Sequence, residues 1–323
     1  MPTPLLGYIA RKDRTLALQR KRDDILTKMP RFRILNARSF PKDVKRVNLY
    51  DCWSDLRVVK AVGFKFTRFH QLTGSCVGAS GGNVAFTLAA CQVVLQNAPE
   101  MAVVPFWMFD YGIGRKDEGM SGQGCGSDTP GEAQAVQQNG IVDAKSNGLP
   151  PYTANDPNGG GITYTSDLEI QWSNGDYCLG QADAVNLGKK HLVKTVSPVN
   201  DVNGIRQAIQ NGYPVHTGCD NYIRNASVQG SGADACVVGT FDKIGGHATS
   251  LIAWWDNPTL GPLYLYLNNW PDDAYPQDPA GAPICSCWIK EADLTSAFSN
   301  LGLEAYPWSH EDGYPAQTLD WLI

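Results

Sequence analysis

The chain of 323 residues is 43% hydrophobic and 18% charged, enough apolar content for one large domain or two lobes and too much for wholesale disorder. No run approaches 18 consecutive apolar residues, and the opening MPTPLLGYIARKDRT carries its charges after its short apolar patch, so neither a membrane span nor a Sec-type leader is expected. The net charge of −5 conceals an asymmetry: residues 1–46 hold 13 Lys/Arg against 4 Asp (+9), and the remainder holds 14 against 28 acidic residues (−14).

Residues 1–46 therefore form a basic N-terminal arm. Its pattern predicts a helix over Leu16–Lys28, ended before Pro30. Three roles suit it: a solvated helix packed on the acidic body, a short pro-segment, or a tether to an acidic surface or assembly partner. The arm lacks the aromatic interleaving that specific nucleic-acid recognition uses.

Residues 47–185 are expected to form a helical lobe. The run Cys76–Gln96, rich in Ala, Val and Leu, predicts a buried helix that starts after Gly74-Ser75. A second helix is expected over Pro130–Asn139, stopped by Gly140. The turn-dense stretch 153–180 reads as a surface excursion. From residue 186 to about 305 strands dominate, with a tail over 306–323. Asp201–Asn211 is the helical exception, and Tyr213–Thr217, His247–Trp255 and Leu263–Leu267 read as strands, the last two joined by a turn over 256–262.

The nine cysteines include no paired spacing of a zinc site, and without a leader mostly reduced thiols are expected. Cys76 stands apart because it opens a long apolar helix behind a glycine turn, where unpaired N–H groups and the positive helix end favour a thiolate. A thiol nucleophile needs a base. Of five histidines, His247 follows Gly245-Gly246 at a strand start, where its ring meets bare backbone. His70, six residues before Cys76, is its rival. His216 lies inside an apolar strand and reads as a core residue, and His191 and His310 read as surface. Asn268-Asn269-Trp270 follows the strand Leu263–Leu267. An asparagine carbonyl there can fix the imidazole tautomer while the indole shields that bond.

The order Cys, His, Asn resembles the papain family of cysteine peptidases. The family's Asn-Ser-Trp motif selects Asn268 over Asn269, and His247-Ala248 matches its His-Ala strand. Gln71 resembles the glutamine that lines the oxyanion hole, beside the Cys76 backbone N–H. Gly124-Cys125-Gly126, the helix to Gly140-Ile141, Pro150-Pro151-Tyr152, Gly212-Tyr213-Pro214-Val215 and Cys287-Trp288-Ile289 continue the series over roughly residues 50–300. The resemblance implies an α+β, two-lobed fold with a helical lobe, an antiparallel β-barrel-like lobe and the active site between them. It places Gly126 and Trp270 along the substrate cleft and calls for no metal or cofactor. Departures include Val77 where the family has Trp, Thr73 where a disulfide cysteine stands, and one residue fewer between Gln71 and Cys76. They suit a distant bacterial or viral branch.

The function implied is a cysteine endopeptidase that cleaves a peptide or protein substrate through Cys76, His247 and Asn268. The competing readings are a papain-fold structural or binding protein, for example of a virus particle, and the same triad acting on a cell-wall peptide or in amide transfer. The expected location is cytoplasmic, or virion-associated if the source is viral.

Overall fold

The structure is a computed structural model that describes residues 7–35, 44–121, 125–146, 149, 165–175, 181–270 and 274–315. The arm contributes helix α1 (Leu16–Lys28) and strand β1 (Ile34–Leu35). Thr15 caps α1 by accepting from the Leu18 N–H, and Leu18 and Ile25 turn inward. The first lobe holds the short strand β2 (Arg46–Asn48) and helices α2 (Leu56–Val62), α3 (Cys76–Leu95), α4 (Trp107–Asp117), α5 (Thr129–Asn139), α6 (Ser166–Ser173) and α7 (Gln181–Gly188).

Helix α3 is apolar on every face, which dictates a central position: all residues from Cys76 to Val93 are buried. Its glycines set how closely α4 packs. A Cβ at Gly78 would sit 2.5 Å from the Tyr111 Cβ, and one at Gly82 would sit 2.7 Å from that of Trp107. Two bare backbone positions thus let the Trp107 and Tyr111 rings lie flush on α3. Helix α5 begins with Asp128 accepting from the Gly131 N–H and ends at Gly140 with φ of +76°, a left-handed stop that glycine provides without strain.

The second lobe is a sheet with strand order β3-β10-β4-β7-β8-β9-β6-β5, to which β2 adds against β7. Its members are β3 (Thr195–Val196), β4 (Val215–Tyr222), β5 (Ala226–Gln229), β6 (Cys236–Gly239), β7 (Lys243–Asn257), β8 (Gly261–Leu267), β9 (Ser286–Lys290) and β10 (Glu304–Ser309). Helices α8 (Val202–Gln210) and α9 (Glu291–Asn300) flank it. Pairing is antiparallel except between β6 and β9.

The resemblance implies a barrel-like lobe, and no closed barrel is found among the described residues. The sheet ends at β3, of only two residues, on one side and at β5, which carries an exposed Val228, on the other. The strand lobe also runs further than expected, since β10 pairs with β4 through Pro307 and with β3 through Ser309. The tail continues to β11 (Tyr314–Pro315), which pairs in parallel with β1 of the arm. The β7–β8 turn is shorter than 256–262, because Asn257 pairs with Gly261 and its side chain accepts from Thr259 and Leu260 N–H groups.

Candidate active site

Cys76 is the first residue of α3 and is fully buried. Two polar side chains fix the loop before it. At its start, the Asn83 side chain of α3 reaches back to bond both the N–H (2.7 Å) and the carbonyl (3.2 Å) of Phe69. At its end, the buried Glu169 of α6 accepts from Leu72 N (2.7 Å), Thr73 N (2.9 Å) and the hydroxyls of Thr73 and Ser75. A carboxylate that accepts only can gather this many donors, whereas an amide could not. Glu169 braces the turn at the position where the resembled family has a cysteine and this chain has Thr73.

Strand β7 carries His247 to the same place from the other lobe. The Ala248 N–H donates to Cys76 Sγ at 3.3 Å, so the strand start touches the thiol. His247 Nε2 lies 2.9 Å from Asn268 Oδ1, at the end of β8. An acceptor there requires the Nε2–H tautomer, which leaves Nδ1 as the basic nitrogen. That Nδ1 is buried and has no hydrogen-bond partner among the described residues. The Trp270 ring stacks on the imidazole at 4.7 Å and 27°. Asn268 is held in turn by Tyr275, whose hydroxyl accepts from Asn268 Nδ2 (2.9 Å) and donates to the Ile223 carbonyl (2.8 Å).

Asn269 has a separate task that the sequence did not suggest. Its Nδ2 donates to the Cys76 carbonyl (2.9 Å) and the Ala248 carbonyl (3.2 Å), and its own carbonyl accepts from Gln71 N (3.0 Å). It pins the start of α3 to β7. Gln71 lies in the expected loop, but its Nε2 donates to the Thr73 carbonyl at 2.6 Å.

The cleft between the lobes is filled by the arm. Ser127 N donates to the Gly7 carbonyl (2.8 Å) and Ile9 N to the Ser127 carbonyl (2.9 Å), so residues 7–9 lie as an added extended segment. Gly126, with φ of +120°, faces this segment: a Cβ there would meet the Gly7 oxygen at 3.3 Å. On the other wall, a Cβ at Gly246 would meet the Tyr8 oxygen at 2.1 Å. Gly7 is interlocked most tightly, because its own Cβ would overlap the Gly74 carbonyl. The backbone N–H groups of Gly7 and Tyr8 join those of Ala248 and Val77 in pointing at the thiol.

Burial overrides those donors. It pushes the Cys76 thiol up to about 12, although all four N–H groups pull it down. The same desolvation pushes His247 down to about 4 against the pull of Asn268. With the arm seated, both groups are neutral near pH 7. The helix-end argument for a thiolate is thus outweighed in this closed state.

Other expectations fall differently. Trp270 is 3% exposed and covers the His247–Asn268 bond rather than lying open along the cleft. His216 is a core residue, 2.7 Å from the Ser80 hydroxyl. His310 is not on the surface: it is buried, with Nδ1 2.7 Å from the Leu192 carbonyl. The 153–180 excursion is corrected within the described residues 165–175, which include α6 with Glu169 and Trp172 buried. Pro150–Tyr152, Gly124 and residues 153–164 lie outside the described residues.

This arrangement has solved counterparts. Xylellain, a cysteine protease from Xylella fastidiosa, superimposes with a TM-score of 0.51 at 12% identity, over 97% of this chain and 95% of that one. The fold is papain-like. Procathepsin B S9 from Trypanosoma congolense matches at 11% identity over 94% and 92% (TM-score 0.51). Digestive procathepsin L2 from Tenebrio molitor larval midgut matches at 13% over 94% and 83% (TM-score 0.51). No family model and no curated protein sequence matches the chain.

Proposed function

We propose that the chain is a cysteine peptidase held closed by its own arm. One observation carries this reading: His247, backed by Asn268 and capped by Trp270, adjoins an Ala248 N–H that contacts Cys76 Sγ. In this reading, withdrawal of the arm lets water reach the pair and lowers the desolvation that keeps both groups neutral. Nδ1 of His247 then takes the thiol proton, and the thiolate attacks a peptide carbonyl. The tetrahedral oxyanion is met by the Cys76 N–H and by a Gln71 amide turned from Thr73. His247 returns the proton to the leaving amine, and water activated by the same ring hydrolyses the thioester, releasing the acid and restoring the thiol.

The arm is the pro-segment of this reading, which the interlock of Gly7 with Gly74 favours over a tether. Two of the similar structures are proenzymes by name, consistent with that role. The same interlock is also the observation that favours the competing reading, a binding protein with a permanently silenced thiol. A Gly7→Leu chain separates them, since the added side chain cannot coexist with the seated segment. Mixed peptide substrates are expected to be hydrolysed by Gly7→Leu and not by Gly7→Leu/Cys76→Ala. Equal rates in the two variants, or none in either, would rule out the peptidase.

A further inference from the structure

We propose that Cys52 and Cys91 are a redox-active dithiol, which a small neutral or cationic disulfide converts into an internal disulfide that locks the first lobe. Fifteen residues along α3 put Cys91 about 22 Å from Cys76, so the pair is independent of any chemistry at that thiol.

Two short surfaces bring the thiols together. Cys52 belongs to the 3-10 helix Leu49–Ser54, in which residues three apart eclipse, so Leu49 and Cys52 present one edge. On α3, Thr87 and Cys91 are four apart and share one face. Trp53 Nε1 donates to the Thr87 hydroxyl at 3.2 Å, and Cys91 Sγ lies 4.0 Å from the Leu49 carbonyl oxygen. Between these two contacts the Cys52 and Cys91 side chains share a hydrogen bond. Both residues are buried. Most buried free cysteines act only as small hydrophobes. A pair of them in mutual contact has little distance to close to the bonded sulfur separation of about 2 Å.

A cavity of about 560 Å³ reaches this pair from outside. Cys52 lines it, together with Ser54, Leu56, Val94 and Leu95, and Cys91 lies behind. The charged residues of the lining are Arg46, Asp51 and Asp55. Arg46 is already engaged: it donates to the Asn48 side chain, the Tyr50 hydroxyl and the Ala280 carbonyl, and lies over the Trp255 and Trp288 rings. Asp55 pairs with Arg57, and Asp51 accepts from the Asn48 amide at 3.2 Å. Such a lining favours a neutral or cationic guest over an anion.

The order of events follows from the positions. The hydrogen bond to Cys52 and then burial hold the Cys91 thiol well above its ordinary pKa, so the attacking sulfur is the one on the cavity. Cys52, as thiolate, attacks a disulfide RSSR, forming Cys52–S–S–R and expelling a thiolate that takes up the proton Cys52 gave up. Cys91 then attacks the Cys52 sulfur, and its proton leaves with the second RSH. One RSSR is reduced to two RSH while two protein thiols are oxidised to one disulfide. The new bond closes a loop from 52 to 91 that includes the Leu72–Ser75 turn and Cys76, and it restricts the unfolded chain over that span.

The test incubates the reduced full wild-type chain with cystamine at pH 8 and maps the products by non-reducing peptide mass spectrometry. A Cys52–Cys91 linked peptide is expected, with a melting temperature about 5 °C or more above that of the reduced chain and reversal by dithiothreitol. Measured against the exposed Cys125 as the internal standard, oxidised glutathione should form the link at least tenfold more slowly than cystamine. In Cys91→Ala the reaction should stop at a cysteamine adduct on Cys52, and in Cys52→Ala the Cys91 thiol should react at least tenfold more slowly than that. The wild-type measurement decides the matter even where an alanine variant fails to fold. The proposal is overturned by no link once Cys125 has fully reacted, or by a link that leaves the melting temperature unchanged. Glutathione disulfide linking the pair as readily as cystamine, or Cys91 reacting as fast as Cys52 in the single variants, would overturn it too.

Discussion

The body and the arm are held together by different physics. The body closes around α3, whose faces are buried from Cys76 to Val93 against rings that fit only because Gly78 and Gly82 lack side chains. Its stability is spread over apolar contact that no single polar change removes. The arm is held at discrete places: the Gly7–Gly74 interlock, the backbone bonds of Gly7 and Ile9 to Ser127, Tyr8 in the gap at Gly218, Arg14 and Arg22 on Glu304, and the β1–β11 pair. Of the α1 residues, only Leu18 and Ile25 are buried. A segment attached by discrete contacts can be released without unfolding what lies beneath it.

Perturbing the body should cost most. Gly78→Leu forces a side chain into Tyr111 and Trp107, and a loss of more than about 3 kcal/mol in urea unfolding is expected. A loss below about 1 kcal/mol would mean that α3 and α4 are not in close contact.

The next effect depends on pH. His247 is held below its ordinary pKa of 6.5, at about 4, by burial, so its neutral form is the one the fold favours. Its contribution is fully present above pH 6.5 and is lost as pH falls through 4. The wild-type chain should therefore lose up to about 3 kcal/mol relative to His247→Gln between pH 7 and pH 4. Parallel pH curves for the two chains would contradict a buried neutral ring.

Glu169→Ala strands the donors of the Leu72–Ser75 turn and should cost about 2 kcal/mol, as well as loosening the position of Cys76. Glu169→Gln should recover part of the stability, since one carbonyl oxygen can still accept. Smallest of all, Arg22→Ala removes one of the two cations on Glu304 from a position that is 12% exposed. It should change global stability by about 1 kcal/mol or less while raising solvent exchange at the Ile9 amide. A global loss as large as that of Gly78→Leu would show that arm and body are one unit.

The parts legible in the sequence are those decided locally. Helix α1 spans the Leu16–Lys28 that its pattern indicated, and α3 starts at Cys76 behind its glycine turn, because caps and apolar runs act over a few residues. The spacing from Trp270 back to Asn268 survives folding because both sit beside His247, one behind the ring and one over it. What escaped the sequence depends on partners far along the chain. Glu169 looked like one acid in a turn-rich run, and its importance comes from donors 94 to 97 residues away. Glu304 owes its place to arginines 282 and 290 residues earlier. The two-residue end strand β3 is likewise set by its pairing with β10, which strand propensity alone does not reveal. The basic excess of the arm was visible, but its target was not, since a charge pattern does not say which carboxylate it meets.

The account turns on Cys76 being a competent nucleophile kept silent by the arm, and site-resolved alkylation kinetics test this directly. Intact wild-type and Gly7→Leu chains are treated with iodoacetamide at pH 7, and modification at Cys76 and at the exposed Cys125 is followed by mass spectrometry. In the wild type, Cys125 should react first while Cys76 stays unmodified. In Gly7→Leu, Cys76 should react at least tenfold faster than Cys125. Rapid modification of Cys76 in the wild type, or slow modification in both chains, would contradict the account.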